Sequence, residues 1–404
     1  MTDCNVLILV QNLSVPFDRR VWNEATSLNN EGYKVFVVCP STKMDPESRA
    51  EINGIKIFRF LSPPEGNSPI SFFYEYFVSI MKSSYFALLI SMRHKINIVH
   101  ICNPPDLLFI PALVVKMFRK SKIIYDQHDL CPELVLSKGF NKKSIYYRAS
   151  ILFEQLTYKL ANAVISTNQS YKSIAINRGK KNTDDVVIVR SGPRINFGLI
   201  GDKLIQPSDS CRQLIYLGTM GIQEGVTILV EMMENLLSHP ELQNLVLNIV
   251  GGGPEERNLQ DQIANKRMEK NVVLHGRISD EDLRNLLKHS DIALNSDVPS
   301  DLNDLSTMNK VIEYMGFGIP IVQYKATEAK FSAGLSSVYL NEYSANTFAV
   351  AVRELIYDPS ARKLMSNFGL QRFRADLAWE TQEHALISFY EHVSKNKSSW
   401  KPTD

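Results

Sequence analysis

The stretch Asn309–Val322, NKVIEYMGFGIPIV, places a helix and a strand back to back. Val311, Ile312, Tyr314 and Met315 recur at helical spacing. Gly316 and Gly318 then break the pattern, and Pro320 leads into the apolar run Ile319 to Val322. A helix delivered straight into a buried strand is the repeating step of an α/β fold. Lys310 and Glu313 stand three residues apart and share a helix face. A charged pair opening a helix after a long polar loop suits an anion site, since helix N-termini attract negative ligands. It suits a surface ion pair equally well.

Outward from this stretch the same step repeats. VLILV (6–10), KVFVVCP (34–40), IKIFRF (55–60), INIVHI (96–101), KIIYD (122–126), AVIST (163–167) and VVIV (186–189) read as strands. Helical patterns near 19–30, 70–93, 105–119 and 144–161 lie between them. Residues 191–212, rich in Gly, Pro and polar side chains, read as a linker. The rhythm restarts at LIYLG (214–218), LVLNIVGGG (245–253), NVVLHG (271–276) and DIALN (291–295), followed by a helix over 306–316 and IPIVQY. Helical patterns at 344–357, 359–375 and 379–395 close the chain. The expected domains are residues 1–190 and 213–378, with 379–404 as a terminal helix. Each would hold a parallel sheet covered on both faces, with ligands outside the carboxyl ends of the strands.

The chain has 404 residues, 44% of them apolar and 22% charged, which fits two ordinary globular domains. Its net charge of +2 hides an asymmetry. Residues 1–190 carry 24 Lys and Arg against 16 Asp and Glu, and the remainder carries 21 against 27. A basic half suits a membrane surface or an anionic acceptor, and uneven solvated surfaces would give the same balance. The five Cys are scattered without C-x-x-C or zinc spacing, and Cys4, Cys39 and Cys102 read as small buried apolar residues of a reducing compartment. The start MTDCNVLILVQN lacks the features of a signal peptide. Residues 70–92 are strongly apolar, but Glu75, Lys82 and several Ser interrupt them, so a buried or interface-lying helix is expected in place of a membrane span.

Polar clusters follow several strands: VQNLSVPFDRRVWNEA, HICNPPD, YDQHDLCPEL, LGTMGIQEG, IVGGGPEE, LHGRISDEDL and DVPSDLNDLSTMNKVIE. Their convergence on one edge of each sheet marks a candidate site. The segments PFDRRVWNEATSLNNEGYKVFVVCP, YDQHDLCPEL, YLGTMGIQEGV, IVGGGPE, HGRIS, STMNKVIEYMGFGIPIV and LAWE resemble the retaining glycosyltransferases of family 4, with the branch that builds O-antigen and other surface polysaccharides most similar. The resemblance implies the GT-B fold, two doubly wound Rossmann-like domains facing across a cleft. The first would be the acceptor side, the second would bind a nucleotide-sugar, and the terminal helix would return to the first.

In this family the Glu of the E-(Y/A)-M-x-x-G-x-P motif accepts hydrogen bonds from ribose hydroxyls, a role that falls to Glu313. Two departures stand out. Leu305 occupies the place of a Glu near the transferred sugar, with Asp301 and Asp304 as loop substitutes. Thr219 and Glu224 stand where an Arg and a Lys usually clamp the diphosphate. Lys310, with backbone N–H groups at Ser306, Thr307, Met308 and Gly221, is the expected replacement, and Arg190 and Arg277 are reserves. The backbone of Arg277 and Ile278 is expected to meet the base. His128 resembles the first-domain His that approaches the sugar, and the bland reading is a structural His. Asp129 would orient it or bind acceptor, while Glu133 would cap the following turn. Arg19 and Arg20 open a helix against its dipole, which points to anion binding on the acceptor side or, for one of them, to pairing with Asp18 or Glu24. The GGGP turn at 251–254 reads as a tight connection, not a phosphate loop.

The expected chemistry is front-face transfer by positioning and charge stabilisation, with a UDP-sugar donor, no metal, no other cofactor and no nucleic acid. A lipid-linked saccharide acceptor at the inner face of the cytoplasmic membrane fits the basic KMFRKSK segment (116–122) and the aromatic 70–92 helix. A nucleotide-sugar epimerase or hydrolase and an inactive nucleotide-sugar-binding partner subunit are the alternatives.

Overall fold

Two separate sheets organise the chain, one of eight strands and one of six. The computed structural model describes residues 4–42, 45–61, 69–198 and 211–395. Of the expected linker, residues 199–210 lie outside the described residues, as do 396–404 of the terminal helix. Met1–Ser191 and Gln382–Asp404 form one compact unit, and Gly192–Thr381 forms the other.

The first unit runs β1 (Asn5–Val10), α1 (Arg19–Asn30), β2 (Lys34–Pro40), β3 (Arg49–Ile52), β4 (Ile55–Phe60), α2 (Pro69–Arg93), β5 (Ile96–Cys102), α3 (Phe109–Arg119), β6 (Lys122–Gln127), α4 (Cys131–Ser137), α5 (Ile145–Leu160), β7 (Ala163–Ser166), α6 (Gln169–Asn177) and β8 (Val186–Ile188). The sheet order is β3-β4-β2-β1-β5-β6-β7-β8. All neighbours are parallel except β3 and β4. That hairpin, unforeseen in the strand reading, turns on Asn53 and Gly54, both with positive φ, as a two-residue connection demands. Leu7, Ile8, Leu9, Val37, Val38 and Val99 are fully buried, as expected of central parallel strands covered by helices on both faces.

The second unit holds α7 (Ile195–Gly198), β9 (Gln213–Leu217), α8 (Thr227–Leu237), β10 (Val246–Val250), α9 (Glu256–Asn265), β11 (Val272–Gly276), α10 (Asp280–Lys288), β12 (Ile292–Asn295), α11 (Asp301–Leu305), α12 (Asn309–Gly316), β13 (Ile321–Tyr324), α13 (Thr327–Ala333), β14 (Ser337–Leu340), α14 (Ala345–Tyr357) and α15 (Pro359–Arg372), and α16 (Trp379–Lys395) starts at its end and belongs to the first unit from Gln382 on. Its order, β11-β10-β9-β12-β13-β14, is parallel throughout. Both units are thus doubly wound.

The helix expected over 306–316 begins three residues later, as α12, and a separate short helix, α11, precedes it in the polar loop. Ser300 caps α11 through the Asn303 amide, and the chain is extended at Ser306 and Met308 before α12 begins. α12 runs through Gly316 and ends at Phe317. Gly318 has φ +65°, and a Cβ there would lie 2.8 Å from Ser366 Oγ, so both conformation and space call for glycine. Gly316 is needed for closeness alone, since its Cβ would meet the Phe373 ring at 3.3 Å. Among the described residues no helix is long and apolar enough to cross a membrane.

Candidate functional site

In the first unit the strand order reverses between β1 and β5, and polar side chains collect at the carboxyl ends of β1, β5 and β6. Asp18 caps α1 by accepting from the Val21 amide, at 3.1 Å, which sets Arg20 facing inward. Arg20 is buried and grips Asp126 with two bonds, Nε to Oδ2 at 3.0 Å and Nη2 to Oδ1 at 2.6 Å. Nη2 also lies 3.2 Å from Glu24 Oε1, and Nη1 donates to Val189 O and Ser191 Oγ. The guanidinium is therefore fully engaged within its own unit. This corrects the acceptor-side reading of Arg20, which pairs with Glu24, as the alternative had it, and more closely with Asp126.

Burial, then the neighbouring Asp126 charge, pushes the Glu24 carboxyl well above the carboxylate range, so it is neutral. Burial acts on Asp126 in the same sense, but Arg20 and then His128 hold it well below that range, so it is ionised. Asp126 is the one that carries the charge because it takes the bidentate grip. Burial depresses His100 and keeps it neutral. Its Nε2 lies 3.4 Å from Asp126 Oδ2 and 3.5 Å from Glu24 Oε2. Its Nδ1 lies 2.5 Å from the hydroxyl of Tyr390 on α16, whose ionisation burial suppresses.

His128 stands two residues beyond Asp126, so both side chains leave the same side of the extended chain, and its Nε2 bonds Asp126 Oδ2. The loop is held by Asn103, whose Oδ1 accepts from the amides of His128 (2.7 Å) and Asp129 (3.1 Å). Asn103 Nδ2 donates to Asp106, to the Tyr125 hydroxyl and to Asp129 O. Glu24, Cys102, Asp126 and His128 are close enough to ligate one metal ion. Arg20 already bridges the Asp126 and Glu24 carboxyl groups, so a cation entering this set would have to displace the guanidinium.

In the second unit the order reverses between β9 and β12. Tyr314 bridges the two strands there: its hydroxyl accepts from the Leu217 amide at 2.7 Å and donates to Leu294 O at 3.3 Å. One turn earlier on α12, Lys310 Nζ reaches Asp297 Oδ1 at 3.0 Å and lies 4.7 Å from the Tyr216 ring centroid. Glu313, half-buried, completes the α12 face. Met308 at the N-cap of α12 offers no side-chain bond to the helix amides. A cavity of about 210 Å³ opens beside this helix, lined by Asn295, Asp297, Asn303, Asp304, Ser306 and Lys325 among others. Asp304 is committed to Thr327, accepting from its amide and hydroxyl.

The loops after β9 and β10 lie backbone against backbone. The Gly218 amide donates to Val250 O, and the Met220 amide to Gly252 O. A Cβ on Gly251 would sit 1.8 Å from Gly218 O, which is the physical demand behind the GGGP turn. The Glu224 carboxylate lies over Gly221, and a Cβ there would be 2.4 Å from Glu224 Oε2. An internal carboxylate therefore stands beside the backbone expected to meet a phosphate. Burial raises the Glu224 carboxyl, with the local backbone and Lys310 opposing.

The structure thus brings Lys310, Glu313, Ser306, Thr307 and Met308 to the opening of α12, with Gly221 at the adjoining strand edge. Arg277 is exposed after Gly276, and Ile278 packs on the core instead. Arg190 is buried in the first unit and not on the second, its amide donating to Gln382. Arg19 is exposed at the start of α1, and half-buried Asp129 has its carboxyl raised by burial, with His128 opposing. Glu133 caps nothing and forms a bidentate pair with Arg178. His100, Asn103, Asp126 and Asp297 lie within the polar clusters of the sequence but had no role of their own there, and Tyr390 lies outside them. The two-residue spacing of Asp126 and His128 at a strand end was the one available signal.

Known proteins resemble this chain. The family description Glycosyltransferase Family 4 fits residues 18–192, and Glycosyl transferases group 1 fits residues 211–358. The chain is 20% identical over 374 residues to an uncharacterised glycosyltransferase of Methanocaldococcus jannaschii, covering 90% of this chain and 91% of that one. It is 23% identical over 256 residues to the chitobiosyldiphosphodolichol beta-mannosyltransferase of Debaryomyces hansenii, covering 58% of this chain and about half, 54%, of that protein's length. Anabaena HepE, solved in complex with UDP-glucose, has the same fold, with a TM-score of 0.71 at 14% identity over 96% of this chain and 99% of that one.

Proposed function

Because the chain belongs to the glycosyltransferases, joining a family 4 domain to a group 1 domain, we propose that it moves a hexosyl or N-acetylhexosaminyl group from a UDP-sugar to a lipid-linked or saccharide acceptor in surface polysaccharide synthesis, with retention of configuration. The observation that carries this reading is the placement of Lys310 and Glu313 on one face of α12 at the strand-order reversal of the second sheet. Glu313 is suited to ribose hydroxyls and Lys310 to the diphosphate. The first unit supplies His128 as a hydrogen-bonding partner of the sugar.

In the reaction the bond from the anomeric carbon to the diphosphate oxygen breaks while the acceptor oxygen bonds to that carbon. The acceptor proton passes to the leaving diphosphate. The UDP preference draws support from HepE, whose bound ligand is UDP-glucose. A lipid-linked acceptor draws support from the dolichol-linked substrate in the yeast relative's name. Metal independence rests on the lack of a convincing D-x-D motif in the sequence.

Peripheral contact with an anionic membrane draws support from exposed apolar side chains on two packed helices, Phe77, Met81 and Tyr85 on α2 and Leu113, Met117 and Phe118 on α3, with Lys120 beside them. The inner face of the cytoplasmic membrane is the corresponding location. One observation favours a second reading, a nucleotide-binding partner that does not transfer: Glu224 lies over Gly221 where a cation usually clamps the diphosphate.

Calorimetry with UDP, GDP, UDP-glucose, UDP-N-acetylglucosamine, UDP-galactose and GDP-mannose, without metal, tests the donor site. Selective micromolar binding that Glu313→Ala abolishes supports it. No binding to any of the six overturns it.

A further inference from the structure

The buried cluster behind His128 does more than fill space. Asp126 is the only group there that touches both Arg20 and the His128 ring among the described contacts. A carboxylate held by a bidentate guanidinium carries no proton of its own, so in its bond with His128 the ring must donate. Nε2 of His128 then carries the hydrogen. In a neutral imidazole the other nitrogen, Nδ1, is left as an acceptor. His100 follows the same logic one step further back. Its Nε2 lies 3.4 Å from the ionised Asp126 carboxylate, which favours a hydrogen on Nε2 and leaves Nδ1 to accept from the Tyr390 hydroxyl. Tyr390 comes from α16, in the chain segment that rejoins the first unit after the whole second unit has been threaded.

Building on the proposed transfer reaction, we propose that Asp126 is a positioning residue that fixes His128 as its Nε2–H tautomer and presents Nδ1 to a hydroxyl of the transferred sugar, with Tyr390 holding the arrangement through His100. The carboxylate acts here as it does behind a catalytic imidazole elsewhere, on the opposite ring nitrogen. His128 is the group that touches substrate. Asp126, His100 and Tyr390 act through it.

The test reads the ring directly. Full-length protein labelled at histidine with 15N and 13C is examined by NMR near pH 8, where an ordinary imidazole is neutral, and the His128 signal is identified by its loss in His128→Asn. The expected result is an Nε2–H ring in the wild type. An Nδ1–H ring overturns the proposal, whether or not the protein transfers sugar. The second arm is kinetic, using whichever UDP-sugar of the calorimetric panel the wild type consumes. Asp126→Asn is expected to lower kcat at least about tenfold with UDP affinity within about twofold of wild type, because the nucleotide contacts lie elsewhere. Tyr390→Phe, which removes one oxygen and keeps the ring, carries the kinetic arm if Asp126→Asn does not fold, with a smaller fall in kcat and an unchanged donor KM. Unchanged kcat in the folded variant overturns the proposal. A wild type that binds no nucleotide but shows the Nε2–H ring refutes the transfer reaction and leaves the ring assignment standing.

Discussion

Lys310 Nζ lies 3.0 Å from Asp297 Oδ1, so the cation best placed for a diphosphate is already half neutralised by its own unit. A diphosphate arriving at α12 must compete with that carboxylate. Lys310→Ala is expected to weaken UDP binding about tenfold or more, the usual loss for a charged hydrogen bond. Calorimetry checks it, and equal affinity in wild type and variant sinks the role given to Lys310.

The carboxylate of Glu224 lies over Gly221 and repels an incoming phosphate. Glu224→Gln removes the charge and nearly keeps the shape. UDP is expected to bind the variant several-fold more tightly, and weaker binding would instead mark Glu224 as a ligand contact.

Arg20 and Asp126 form a buried bidentate pair. Arg20→Met strands an ionised carboxylate and is expected to cost about 3–5 kcal/mol in denaturant unfolding of the first unit. Arg20→Met combined with Asp126→Leu removes both charges and is expected to recover a good part of that loss. A double variant less stable than the single one would contradict this.

Glu154 is buried beside Arg178, 2.6 Å away. Burial lifts its carboxyl from the ordinary 4.5 to about 7, with Arg178 opposing. Between those values the folded chain keeps a proton that the unfolded chain has lost. The contribution to stability is therefore fully present below pH 4.5 and lost as pH rises to about 7. Its size is on the order of 3 kcal/mol. Glu154→Gln is expected to flatten the pH dependence of unfolding in that window, and an identical slope in the variant would refute the assignment.

The apolar face of α2 and α3 is expected to bring the protein down with phosphatidylcholine vesicles containing phosphatidylglycerol and to release it in high salt. Met117→Asp with Phe118→Asp should abolish sedimentation. Binding that survives both substitutions would place the contact elsewhere.

The first of these predictions rests on residues the sequence marked and on one it did not. Lys310 and Glu313 were legible because helical spacing and the Gly-x-Pro ending put them on one face at the mouth of a strand. Asp297 was not, because a loop residue thirteen positions away carries no periodic signal. The Asn53-Gly54 turn stands in the sequence before the strand IKIFRF, but the four residues ahead of it, RAEI, are too short and polar to read as a strand. The short helix α11 was not legible, because five residues with two Asp and one Asn read as polar loop.

By itself the sequence determined the two doubly wound sheets, because alternating apolar runs and amphipathic helices follow from local spacing and need no knowledge of neighbours. It determined the family as well, through motifs that are contiguous in the chain. Tertiary structure alone decided what each charged residue does. Arg20 and Arg190 look like ligand cations in a string of letters, yet both are buried in the first unit, Arg20 with its donors spent on Asp126, Glu24, Val189 and Ser191. His128 and Tyr390 lie on opposite sides of the second unit in sequence and meet through His100 and Asp126 in space. The reason is physical: a charge takes its role from the dielectric and partners around it, and those are supplied by residues tens or hundreds of positions away.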